Sequence, residues 1–150
     1  MAAGKPKIFE SGAASVLANA KAQWDLAGNQ FAFILLDTAW TPDASLDTYS
    51  QLTNECIDAD YAPIGVTTRT INEVAGVTYL DADDAAFGDP KTISARYLVC
   101  VQGDYTALAG TDSLVFFVDL NTSGANVSTI TAAFTVVADA LGWLSITETA

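Results

Sequence analysis

Short apolar runs of strand length, rich in β-branched and aromatic residues and set apart by Gly, Asp, Asn and Pro turns, recur along this chain from residue 28 onward. The run Phe31-Ala32-Phe33-Ile34-Leu35-Leu36 is continuous, with Gly28-Asn29 before it and Asp37 after it, as in a strand buried on both faces. Residues 66–71 and 74–80, joined at Asn72-Glu73, predict a hairpin. Residues 92–101 predict a central strand, clearest over 95–101, and further strands are expected over 113–120, 127–137 and 141–147. Thr41-Pro42-Asp43 reads as a turn, and 45–53 as one or two helical turns with Ser45 as N-cap and Leu46, Tyr49 and Leu52 on one face. Some seven or eight short strands predict a mainly β fold: a single-domain antiparallel β-sandwich or jelly roll.

A chain of 150 residues that is 51% hydrophobic and 16% charged can bury a sizeable core and is no candidate for global disorder. No apolar run approaches the roughly 18 residues of a membrane span, and the N-terminus lacks a basic region followed by an apolar signal segment, so a soluble, non-secreted protein is expected. Asn121 and Asn126 stand in N-glycosylation acceptor patterns, which read as polar turns when no secretory route is expected. Cys56 and Cys100 are expected as buried free thiols.

Charge divides the chain into an arm, 1–28, and a body, 29–150. The net charge is −12, yet Lys5, Lys7 and Lys21 lie in the first 21 residues with Glu10 as their only acidic neighbour. The body sets Arg69, Lys91 and Arg96 against nearly all the acids, a field that repels nucleic acid. In the arm, Ile8, Phe9, Val16 and Leu17 recur at near-helical spacing, which predicts a short helix or an ordered arm. Phe9, Val16, Leu17 and Trp24 are read as contacts with another chain, because an arm has little core of its own. Trp40, beside Thr41-Pro42, is read as an exposed loop contact.

Histidine is absent, which removes the usual general base near neutral pH and any Ser-His-Asp or Cys-His site. The sequence holds no phosphate-binding loop with its Lys and no Gly-x-Ser-x-Gly elbow. Asp81, Asp83 and Asp84 form the best grouping that could hold a hard cation, with Asp58 and Asp60 a weaker one, but it lacks the Gly and the distant bidentate Glu of an EF-hand loop, and a solvated turn is the alternative. No catalytic residue, cofactor or resident metal is expected. Phe31, Phe33, Phe116, Phe117 and Phe134 are read as core, and Arg96 as the partner of Asp81 or Asp119.

Several segments carry a resemblance: 33–43 (Phe33 to Asp43, with Trp40-Thr41-Pro42-Asp43), 80–87, 92–100, 114–120 and the closing Asp139-Ala140-Leu141-Gly142-Trp143-Leu144. In order and spacing, over residues 30–147, they resemble small virion structural proteins of tailed bacteriophages, the head decoration or capsid cement proteins. The resemblance implies a non-enzymatic protein, made in the host cytoplasm, that binds the outer surface of the phage head and staples neighbouring capsomers. Its partners would be the major capsid protein and further copies of itself, as a dimer or trimer, with no nucleic acid or membrane. Two other readings remain open at this point: a tail or fibre-base component of the virion, and a carbohydrate-binding β-sandwich module.

Overall fold

The computed structural model describes residues 4–9, 24, 28 and 30–147. Its centre is a five-stranded antiparallel sheet in the order β1-β9-β8-β2-β3, formed by β1 (Lys7–Ile8), β2 (Ala32–Leu36), β3 (Ile64–Gly65), β8 (Tyr97–Gln102) and β9 (Ser113–Asp119). Smaller sheets pair β4 (Thr70–Val74), β5 (Val77–Asp81) and β12 (Leu144–Thr147); β7 (Lys91–Ala95) and β10 (Val127–Ala132); and β6 (Ala85–Ala86) and β11 (Thr135–Val136). The result is the sandwich-like β domain that the strand pattern predicts.

Continuous apolar runs form the central strands because this sheet is covered on both faces. Phe33, Leu35, Leu98, Cys100, Phe116 and Val118 face Leu80, Ile93 and Leu144 from the smaller sheets, with Phe134 and Trp143 from the segments just before β11 and β12. Ile34, Leu36, Tyr97, Val99, Val101 and Phe117 face Phe9 and Trp40, with Leu46, Tyr49, Leu52 and Leu108 packed against them. Side chains alternate between these layers, as strand geometry requires. A register shift between Cys100 and Val101 leaves Val115 unpaired, so Val115 and Phe116 lie on the same side. All five phenylalanines expected in the core are buried, and both cysteines are buried and free.

Four local expectations are corrected. The hairpin exists, but its turn is Ala75-Gly76 rather than Asn72-Glu73, because both turn residues take positive φ (51° and 78°), as a two-residue hairpin turn requires. The run 92–101 is two strands, β7 and β8, in different sheets, with the chain turning a corner at Arg96. Residues 127–137 likewise divide into β10 and β11. The helical turn is a 3₁₀ turn at Tyr49–Gln51 capped by Thr48, not Ser45; Ser45 instead donates to Asp43 in a tight local turn.

Candidate interaction surface

The structure seats three of the expected contact residues in the chain's own core. Phe9 is fully buried 5.2 Å from the Phe117 ring, following β1, whose Lys7 and Ile8 pair with Phe117 and Phe116. Trp24 is buried against Phe31, its indole N–H donating to the Asp81 carbonyl. Trp40 lies in a loop but turns inward, edge-on to Tyr97 and Phe117. The expectation that Phe9, Trp24 and Trp40 present themselves to another chain is therefore corrected: Phe9 and Trp40 cover the face of the central sheet turned away from the smaller sheets, and Trp24 fills the core on the other face. Val16 and Leu17 lie outside the described residues.

The acidic stretch does not converge. Asp81 accepts from the Ala82 N–H, Asp83 from the Thr67 and Thr68 hydroxyls at 2.9 and 2.6 Å, and Asp84 from the Ala138 N–H. Among the described residues no group of three metal-ligating side chains comes together. The hydroxyls of Thr68 and Thr67 hold the Asp83 carboxyl below its ordinary range. Burial pushes the Cys56 thiol up to about 11, with its S–H directed at Asp58, and pushes the Cys100 thiol up as well. Burial, reinforced by Glu55, raises Tyr49 to about 12 and raises Tyr61 further. All of these shifts run away from neutrality, opposite to the tuning that acid-base or thiolate chemistry needs.

The most exposed large apolar side chain, Ile57, lies between the acidic Glu55 and Asp58, whereas the next two lie in the uncharged stretch after Asp119. Ile130 on β10 is 80% exposed and Val137, just past β11, is 70% exposed. A groove of about 350 Å³ runs between β10 and β11, lined by Leu120, Val127, Thr129, Phe134, Val136 and Val137 itself. A bulge in β10 creates this arrangement: Thr129 pairs with Ile93 and Ala132 with Lys91, so one extra residue is accommodated, and Thr131 takes φ 51°. A β-branched residue at positive φ is strained, and here the strain turns the strand beside Ile130. On its inner side β10 is held to β7 by the Thr129 hydroxyl on the Lys91 carbonyl and by the Thr131 N–H on the Thr92 hydroxyl.

No family model, curated protein or solved structure matches this chain. Its surface therefore has to be read on its own chemistry. Between Asp119 and Asp139 the sequence contains no charged residue, in a chain whose net charge is −12. That gap in the charge pattern is the signal by which sequence reading could have found Ile130 and Val137. It was obscured because an apolar β-branched run reads equally well as a buried strand. Among the described residues no helix is long and apolar enough to cross a membrane.

Proposed function

We propose that this chain is a non-enzymatic structural protein of a tailed-phage virion, a decoration or cement protein that binds the outer surface of the head and bridges neighbouring capsomers. The observation that carries this reading is an uncharged strip, studded with exposed Ile130 and Val137, on an acidic body whose shifted ionisable groups move away from neutrality. A protein that recognises only the assembled shell stabilises it by mass action, and many modest contacts repeated over a lattice add through avidity. The major capsid protein is the partner this mechanism calls for. A glycan-binding role loses its main support, since Trp24, Trp40 and Trp143 are all buried and offer no open face to a sugar.

The test is to prepare heads lacking the chain, add the purified protein and follow sedimentation and heat-induced loss of DNA. Co-sedimentation with heads and a higher release temperature are expected. Binding to tails alone, or no binding to any particle, sinks the proposal. Deleting residues 1–24 is the wrong variant for this purpose, because it removes β1, Phe9 and Trp24 from the fold.

A further inference from the structure

We infer that the outer edge of β4 takes an added strand from a partner protein: an extended, antiparallel segment that sets a basic side chain opposite Glu73 and an apolar one opposite Ile71. The register of the hairpin fixes which backbone groups face out. Val74 and Val77 flank the two-residue turn and bond each other, and the alternation of an antiparallel ladder then makes Asn72 with Tyr79 and Thr70 with Asp81 the other bonded pairs. Ile71 and Glu73, opposite Leu80 and Thr78, therefore direct their N–H and C=O groups away from β5. The Leu80 carbonyl agrees with this phase, since it turns to the β12 side and accepts the Trp143 N–H there.

What singles out β4 is that the other edges are short, capped or bent. β1, β3, β6 and β11 are two residues each. The free side of β7 is closed by carboxylates, Asp60 accepting the Thr92 N–H at 2.8 Å and Asp58 the Ser94 N–H at 2.7 Å. β10 is bent by the bulge at Thr131, and β12, four residues long, shares a groove with Lys5 and Pro6. β4 keeps five regular residues without proline, bulge or cap, exposed at every position except the half-buried Ile71. Extended segments add at edges of this kind, their main chain supplying affinity and their alternate side chains specificity. Charge then selects the occupant. The exposed Glu73 carboxylate engages no partner among the described residues, and the chain carries −12, so a basic segment is drawn to this edge and a second acidic copy is repelled. Ile71 packs at the rim of the core, and an apolar side chain opposite it extends that core.

The edge is separate from the β10–β11 strip, so this inference stands or falls independently of the head-binding reading. The experiment follows amide exchange residue by residue by NMR in the full chain, alone and with the acetylated and amidated peptide Thr-Thr-Lys-Thr-Val-Thr-Thr raised into the millimolar range. In the free chain Ile71 and Glu73 should exchange quickly and Asn72 and Val74 slowly, since only the latter pair bonds β5. Once the peptide exceeds its Kd about tenfold, the Ile71 and Glu73 amides should slow by about tenfold, a protection that a purely ionic contact does not give. The peptide with Glu in place of Lys should bind about three- to tenfold more weakly, and Glu73→Lys should reverse that preference. Glu73→Pro removes an outward N–H and spares the bonds to β5, so the hairpin should persist and peptide binding should vanish. No protection at millimolar peptide, protection confined to another strand, or equal binding of the two peptides overturns the inference. Protection of Ile71 and Glu73 that rises with the concentration of the chain alone overturns it as well, because the edge then belongs to a second copy.

Discussion

The Arg96 guanidinium grips the Asp119 carboxylate through two nitrogens, Nη2 at 2.9 Å and Nε at 3.3 Å, at the corner where the chain leaves one sheet for another. The backbone of Arg96 is tied on both sides, its N–H to the Leu36 carbonyl and its carbonyl to the Leu120 N–H, and its side chain also lies over the Tyr97 ring. Burial alone would raise the Asp119 carboxyl, but hydrogen bonds from Arg96 and the Asn121 N–H, with the nearby positive charge, hold it below its ordinary value. A lowered native pKa stabilises the fold above about pH 4, and that contribution is lost as the pH falls through the native value. Arg96→Ala should therefore lower the melting temperature at pH 7 and move the acid-unfolding midpoint upward. Arg96→Lys should restore only part, since an ammonium cannot make the paired contact. An acid midpoint that does not move in Arg96→Ala would refute the role given to this pair.

Trp40 offers a test that separates core from contact surface. Its ring sits 4.9 Å from Tyr97 and 5.3 Å from Phe117, nearly perpendicular to both, and is 3% exposed. Trp40→Ala should destabilise the fold by about 3 to 5 kcal/mol, the usual loss for a buried aromatic. Urea unfolding would show the midpoint falling accordingly. A midpoint within error of wild type would return Trp40 to the surface.

What could be read from the sequence followed from how many faces each strand buries. The runs 31–36 and 113–120 are apolar at nearly every position because both faces of β2 and β9 are covered, so they stand out in one dimension. The corner at Arg96 leaves no such trace, since the apolar pattern of β7 runs straight into that of β8 and only the pairing partners change. Trp40 is hard to place from sequence for a related reason. Beside Thr41-Pro42 it has every local mark of an exposed turn, and its burial depends on a second core layer that only the folded sheet creates. Ile130 is the converse case: its β-branched neighbours suggest burial, but a bulge fixed by side-chain bonds to β7 leaves it exposed.

The hairpin turn between β4 and β5 is suboptimal in one residue. Ala75 takes φ 51° and Gly76 φ 78°, and a left-handed conformation costs an ordinary L-residue about 1 to 2 kcal/mol, less for Asn. Ala75→Asn should raise stability by about 0.5 to 1 kcal/mol. Gly76→Ala should lower it by about 1 kcal/mol for conformational reasons alone, because a Cβ there would meet open space. Thermal melts of the two variants should move in opposite directions, and a shared direction would rule out the turn geometry.

Alkali should expose the tyrosine network around Glu55. The hydroxyls of Tyr49 and Tyr61 both donate to the Glu55 carboxylate, at 2.6 and 2.7 Å, and the Tyr61 oxygen accepts the N–H of Leu35 on the central strand β2. Ionising either phenol would place a second negative charge beside Glu55 in a partly buried site, so burial first and the carboxylate second raise both groups. Burial raises Tyr97 too. A native pKa above the unfolded value stabilises the fold fully below about pH 10 and progressively less above it, as the unfolded chain gives up protons that the native state retains. Native absorbance near 295 nm, the tyrosinate band, should therefore lag behind the titration in urea, and stability should fall steeply from about pH 10 upward. Tyr61→Phe should flatten that fall while costing about 1 to 3 kcal/mol at pH 7, because Glu55 and the Leu35 N–H each lose a partner. If the native and urea titrations coincide, the phenols are not held by this carboxylate, and the anchoring of the 49–61 segment to β2 must be sought elsewhere.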